Sequence, residues 1–399
     1  MKHFILTTCM VSTLLISTLA HSEAEFSSEL IFPLQEKHVH GSTLAEMHNG
    51  EIVAAWFHGS GERKSNDVQV LGARLDQDDT EWSNIFPMAD TPDLPDCNPV
   101  LYTDSDNRLF LFWIAVQGNR WEYSILKYKR ADRMSVSGPP NWNWQDNIIL
   151  KPGEQFSKQI NDGLLEVGLR DGMWGEYALP YRRQLTEAAK DSHKRQMGWM
   201  GRAQAITLPS GRILLPLYSD GFNVSLCAIS DDQGDTWRAS GPMVGLAPIQ
   251  PTLTRGKDGT LYAWCRDSGG APNRVMLSIS KDDGDTWSVT HDTELLNPGS
   301  SLAAVTIKDG RWLMLLNDTE RGRHQLLLML SDDDGKTWSH QRYLDKAEMG
   351  SGGSYEYPTI MQARNGKIHV SYTYKEKVGN KQLKSIKHAA FDVDWVKEN

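Results

Sequence analysis

An eight-residue pattern occurs three times in the C-terminal half of the chain, at a spacing of roughly 50 residues. It reads Ser230-Asp231-Asp232-Gln233-Gly234-Asp235-Thr236-Trp237, Ser280-Lys281-Asp282-Asp283-Gly284-Asp285-Thr286-Trp287 and Ser331-Asp332-Asp333-Asp334-Gly335-Lys336-Thr337-Trp338. A fixed period of this size implies supersecondary units stacked on one another. Each shared residue has a local job: Ser and Asp bond the backbone of a turn, Gly admits a positive φ, and Trp packs the turn onto a neighbouring sheet. These residues constrain architecture; Asp282 and its counterparts are expected to be structural.

A second repeat extends over the whole chain. Two-residue turns separate apolar runs at Asn49-Gly50, Asp106-Asn107, Asp162-Gly163, Ser210-Gly211, Asp258-Gly259, Asp309-Gly310 and Asn365-Gly366. Such turns between alternating hydrophobics are the strongest local signal for β-hairpins. The turn at Asp162-Gly163 has polar flanks, yet omitting it opens a gap near twice the usual period. Seven units are therefore expected, with six as the second choice. Several short strands per unit predict an all-β fold, a seven-bladed β-propeller. The charged, Gly- and Pro-free stretch 182–197 predicts a short helical insertion between blades. No Pro/Gly/Ser-rich linker occurs, so residues 25–399 are expected to form a single domain.

Counting the same distance back from each turn nominates the starts of the innermost strands: His40, Asn98, Glu154, Arg202, Gln250, Ser301 and Tyr357. The returning strands bring His58, Arg120, Tyr218, Asp220 and Arg266 toward the same end. Nearly every unit thus offers a hydrogen-bonding or ionisable residue at one level, which predicts a polar mouth on a rigid scaffold.

The chain has 399 residues, 39% hydrophobic and 23% charged, as in ordinary globular proteins. A net charge of −9 argues against nucleic acid or anionic membranes as partners, though not against an anionic sugar at a local basic site. Met1-Lys2-His3 followed by an apolar run to Leu19 reads as a signal peptide over 1–20, with cleavage after Ala20 or Ala24 and a secreted or periplasmic destination. Cys97, Cys227 and Cys265 lie in strand-like runs without metal spacing, so buried free thiols are expected and neither a disulfide framework nor a metal site.

The repeated octapeptides are Asp boxes, and on them the chain resembles the sialidase-like (BNR-repeat) superfamily over most of its length. His40-Gly41-Ser42-Thr43-Leu44, Asn98-Pro99-Val100-Leu101, Gln250-Pro251-Thr252-Leu253 and Tyr357-Pro358-Thr359-Ile360 add to the resemblance. True sialidases carry an R-I-P motif on the first inner strand, which supplies the first of three arginines gripping the substrate carboxylate. Here His40 stands at that position, and an imidazole cannot reproduce the bidentate guanidinium fork. The chain looks more like the propeller lyases of the superfamily, which cleave uronate-containing glycans such as ulvan or rhamnose-glucuronate chains by β-elimination. In those enzymes histidines near the first hairpin and an arginine of the next blade form the site. Carried onto this sequence, the resemblance implies His40, His58 and Arg120 as catalytic residues. Those lyases also use a tyrosine where this chain has Asn98, so the proton-handling tyrosine must come from Tyr123, Tyr177, Tyr181 or Tyr218.

Elimination needs a base for the proton beside the carboxylate, an arginine to neutralise that carboxylate, and an acid for the leaving oxygen. Histidine suits the base, since its ordinary pKa near 6.5 leaves it largely neutral. The expected substrate-binding residues are Asn98, Arg202, Tyr218, Gln250, Arg266 and Tyr357, with no cofactor and no metal. The expected partner is an anionic poly- or oligosaccharide substrate bound by a monomer. Two alternatives stand beside the lyase. One is an exo-sialidase or other glycoside hydrolase, using a nucleophile among Tyr355, Glu356 and Tyr357 or a carboxylate pair among Asp67, Asp220, Asp267 and Asp318. The other is a non-catalytic carbohydrate-binding propeller. The Glu62-Arg63-Lys64 cluster reads as an exposed turn.

Overall fold

The computed structural model describes residues 25–77, 81–133, 135–168 and 181–397. The expected signal peptide over 1–20 and Tyr177 lie outside these. Among the described residues the strands form six antiparallel sheets, each a blade of a propeller, in place of the seven expected. The innermost strands are His38–Glu46, Asp96–Thr103, the split pair Met200–Gly201 and Ile206–Thr207, Pro248–Arg255, Ala303–Thr306 and Ser354–Gln362. From each, a tight turn leads into the second strand. Gly50, Gly211, Gly259, Gly310 and Gly366 hold φ between 86° and 95° at these turns, and Asn107 holds 61°. These left-handed conformations are why Gly and Asn occupy them.

The seventh hairpin is a helix. Asp162-Gly163 lies within α1 (Gln155–Val167), which buries Phe156, Ile160 and Leu164. These apolar residues recur every four positions, the helical period, so the turn-like dipeptide was a misleading signal. Gly163 is there for close approach: a Cβ on it would lie 2.8 Å from Cβ of Val244. The sequence gap near twice the usual period is thus one insertion between blades two and three. It comprises α1 and α2 (Tyr181–Lys190), with a 3₁₀ turn at Lys194–Gln196. The helical insertion expected over 182–197 is its second half. An aromatic cluster of Phe156, Trp199 and Phe222 pins the insertion to blade three.

Blade six closes the ring. Its outermost strand is Phe26–Leu30, which pairs antiparallel with Lys381–Phe391. A buried polar chain crosses this seam: His369 Nδ1 lies 3.0 Å from His388 Nε2, and His388 Nδ1 lies 2.6 Å from Glu29 Oε1. Trp82 Nε1 donates to the same carboxylate oxygen at 3.0 Å. Between blades the core is apolar and aromatic, with Trp56, Trp113 and Trp312 fully buried.

The Asp boxes sit at the outer ends of the hairpins, between blades. In the first, Ser230 Oγ donates to Asp232 Oδ1 and accepts from the Gly234 N–H, while Asp232 Oδ1 also accepts from the Thr236 N–H at 2.8 Å. The other two boxes repeat these bonds. A Cβ on Gly234 would meet Phe110 at 2.8 Å, and one on Gly284 would meet Leu214 at 2.8 Å. The box glycines therefore let one blade's turn seat directly on the preceding blade. Cys97, Cys227 and Cys265 are buried and free.

Candidate active site

Four inner strands share an irregularity that builds the mouth of the channel. Register shifts fall between His40 and Thr43, Cys97 and Val100, Ile249 and Thr252, and Glu356 and Thr359. At each bulge one residue takes a left-handed φ: Gly41 at 63°, Asn98 at 50°, Gln250 at 52° and Tyr357 at 53°. Three of these are not glycine, a conformation costing about 1–3 kcal/mol each that persists where the fold imposes it. Bulges re-aim side chains, and here they turn Asn98, Gln250 and Tyr357 into one cavity of about 340 Å³.

Tyr357 stands at the centre of this cavity. Its hydroxyl oxygen accepts from Arg266 Nη1 at 3.0 Å and from Gln250 Nε2 at 3.3 Å. The Arg323 guanidinium lies 5.5 Å from its ring centre and that of Arg202 5.1 Å. The same Gln250 amide donates to the Tyr218 hydroxyl at 3.3 Å, to which Asn98 Nδ2 also donates at 3.0 Å. With both phenolic oxygens accepting, their protons are directed elsewhere. Burial, with the Asp220 charge, pushes the Tyr218 phenol well above its ordinary range and keeps it neutral.

Glu356 anchors the adjacent wall. Its oxygens accept from Ser354 Oγ and Lys375 Nζ, both at 2.7 Å, and from Arg323 Nη1 at 3.1 Å. Burial opposes its ionisation, but the charges around it, Arg323 foremost, hold the carboxyl well below the usual range. His40 Nδ1 is 3.8 Å from this carboxylate and 3.0 Å from Thr373 Oγ1. Burial drives the His40 imidazole far below 6.5 against the pull of Glu356, so it is neutral. Its ring centre is 4.1 Å from that of Tyr357. His38, on the same strand, is lowered to about 4 by burial and by Lys375. Glu62 meets solvent at the cavity mouth, yet the walls desolvate it enough to raise its carboxyl above 4.5, with Arg63 partly offsetting this.

Of the residues expected here, His40, Asn98, Tyr218, Gln250, Arg266 and Tyr357 line the cavity. Three do not. His58 pairs with Val39 on the strand beside it, so it faces opposite to Phe57, the partner of His40, and it bonds Gln35 Oε1 at 3.2 Å. Arg120 keeps 61% of its side chain exposed and is bonded to Glu122, on the rim of a neighbouring groove. Arg202 lies beneath the floor, with its guanidinium on the carbonyls of Ser42 and Pro358; it ties blades one and six and supports the Tyr357 ring. Glu154 and Ser301 are also absent from the lining, and of Asp67, Asp220, Asp267 and Asp318 only Asp220 is present. Tyr355 is buried in the apolar core shared by blades five and six, beside Tyr372 and Tyr374, which leaves Tyr357 and Glu356 from that run.

Sequence reasoning missed Arg323, Lys375 and His38; the turn expected at Glu62-Arg63-Lys64 is present with Lys64 exposed, but its half-exposed Glu62 and Arg63 face the cavity. His38 sits two positions before His40, on the same face of one strand, and that spacing was the available signal. Arg323 comes from the loop between the second and third strands of blade five, and Lys375 from the second strand of blade six, where it pairs with Ser354.

The comparisons agree with this architecture. The model of the BNR repeat-like domain matches residues 50–196 and 185–370. The chain belongs to this family, within the sialidase-like propellers. A sialidase of Bacteroides fragilis is 27% identical over 54% of the chain and 38% of its own length. An anhydrosialidase of Macrobdella decora is 24% identical over 41% of the chain and 23% of its own length. The aligned stretches thus span well under half of these relatives. Among solved structures, the intramolecular trans-sialidase of Ruminococcus gnavus superposes with a TM-score of 0.65 at 14% identity, covering 91% of this chain and 96% of that one. The NanB sialidase of Streptococcus pneumoniae gives 0.65 at 12% identity, covering 92% and 71%. These two likenesses concern the fold.

Proposed function

We propose that this BNR-repeat propeller is a glycosidase of the sialidase type, acting on a terminal acidic sugar. The observation that carries this reading is the Tyr357 hydroxyl, held at the centre of the cavity by Arg266 and Gln250 with Arg323 against its ring. Arg266 and Arg323 supply guanidinium groups for a substrate carboxylate next to that hydroxyl. Tyr357 Oη adds to the anomeric carbon as the bond to the leaving oxygen breaks. Glu62, its carboxyl raised by desolvation, gives its proton to that oxygen. The phenolic oxygen accepts from the Arg266 guanidinium and the Gln250 amide, neither of which can take its proton, so that proton is assigned to the neutral His40 imidazole beside the Tyr357 ring. Water then attacks the same carbon, Glu62 takes its proton, and the departing Tyr357 oxygen takes back the proton held by His40.

The test is release of a fluorogenic aglycone from an α-linked sialoside. Tyr357→Phe and Glu62→Gln should each lower turnover by about 10²-fold or more, the usual worth of a positioned acid or nucleophile. Turnover unchanged in Tyr357→Phe would overturn the assignment.

One observation favours a second reading, a uronate lyase: a neutral histidine lies beside a tyrosine and two arginines, the set β-elimination needs. A rise in ultraviolet absorbance from an unsaturated uronate, without release from the sialoside, would establish it. Sugar binding with neither reaction would indicate a non-catalytic propeller.

A further inference from the structure

A second cavity of about 820 Å³ opens beside the polar mouth and shares Arg63, Trp121 and Asp220 with it. Its walls come from the turn over 117–123, the helical insertion and the turn after the second strand of blade three. These walls are built to fit. A Cβ on Gly198, whose φ is +73°, would lie 2.7 Å from the Glu122 carbonyl oxygen, and one on Gly221 would lie 3.2 Å from Glu122 Cβ. The Glu122 segment is therefore clamped between the end of the insertion and the turn of blade three.

The charge balance differs between the two cavities. Four cationic groups line the polar mouth (Arg63, Arg266, Arg323 and Lys375) against three carboxyls, one of which, Glu62, is raised by desolvation. In the groove four cationic side chains face four acidic ones, and Arg120 is already neutralised by Glu122. Aromatic surface accompanies this neutrality: Tyr123 is 42% exposed on the groove, and Trp121 lies at the junction with the mouth. A polyanion would find no net positive track here. A neutral sugar, with an apolar face for an aromatic ring and hydroxyls for paired charges, fits the walls.

We infer that this groove binds the neutral saccharide on the leaving-group side of a glycan whose acidic terminal unit enters the mouth, an inference that rests on the glycosidase reading. The helical insertion thereby becomes the specificity element of this chain.

The experiment is a titration of the full protein with lactose, followed by saturation-transfer NMR, beside the fluorogenic sialoside assay. Lactose should bind the wild type, lose about tenfold in affinity in Tyr123→Ala, equal to 1.4 kcal/mol, and regain it in Tyr123→Phe, which keeps the ring. No lactose binding, or binding indifferent to Tyr123→Ala, would overturn the groove. Lactose binding through Tyr123 without sialoside turnover would leave the groove standing and refute the reading of the mouth. Where both hold, Tyr123→Ala should raise KM for an acidic sugar linked to lactose about tenfold more than for the fluorogenic substrate.

Discussion

Replacing Glu356 by Gln tests whether the mouth is organised by one buried charge. The carboxylate is 8% exposed and is shared by Arg323 at 3.1 Å and Lys375 at 2.7 Å, whose side chains are 26% and 20% exposed. Glutamine keeps the volume and removes the charge, leaving two cations close together without a counter-charge. Breaking a buried pair from one side costs about 3–5 kcal/mol, and the partial exposure of the cations places this case near 3 kcal/mol. In a domain the size of residues 25–399, an unfolding entropy of about 2.1 cal/mol/K per residue makes each kcal/mol worth roughly 1.3 °C in Tm, so thermal unfolding should shift down by about 4 °C. The double variant Glu356→Gln with Lys375→Met removes one orphaned cation and should recover about half of the loss, a coupling that a double-mutant cycle reads directly. Acid acts in the same direction. The folded Glu356 carboxyl lies below its ordinary 4.5, so its stabilisation is complete above that value and fades as pH falls toward the folded pKa. If Glu356→Gln melted within 1 °C of the wild type, about 0.8 kcal/mol here, the charge would not organise the site.

Three further outcomes follow from other parts of the molecule. Burial lowers the His369 imidazole from 6.5 to about 3, so only the unfolded chain takes up this proton between those values, and stability is full above 6.5 and declines below it. The stability difference between wild type and His369→Phe, followed by denaturant titration, should move by about 2 kcal/mol against the wild type between pH 7 and pH 5; no change would show that the histidine titrates normally in the fold. Trp287→Ala removes a half-buried indole that packs against the core between blades three and four, and should cost about 2–3 kcal/mol by thermal unfolding, with sugar affinity of the folded protein unchanged. His58→Ala should retain turnover on whichever substrate the enzyme accepts, because His58 bonds Gln35 outside the cavity; loss of turnover without loss of stability would place it back in the site.

Local rules carried the blade hairpins almost entirely, because a turn needing positive φ announces itself through Gly or Asn. They failed at Gly163, where the glycine serves the approach of a helix to Val244 and not a turn. The polar mouth was legible through Asn98, Gln250 and Tyr357, since equivalent strand starts lie at one level in a radial fold. It was not legible in Arg323, which reaches Glu356 from a loop of blade five, nor in Lys375, which faces Glu356 from the other strand of its own hairpin, one residue of parity from Tyr374. Nor was the fate of His58, since one residue of parity along a strand decides which face a side chain takes. His40 was found, but its role is set by Thr373, Glu356 and Tyr357, none of them near it in sequence.

The seam of blade six also has a consequence for biosynthesis. The strand Phe26–Leu30 is translated among the earliest of those described, yet its partner, Lys381–Phe391, comes among the last. Until that partner emerges from the ribosome, an incomplete sheet edge is open to pairing with other chains. Loop-closure entropy over such a separation makes this pairing a late and slow event in folding. A fusion or cleavage at either side of the seam would therefore act on the same sheet, and new termini placed in an exposed hairpin turn elsewhere would join the two partners from the start of folding.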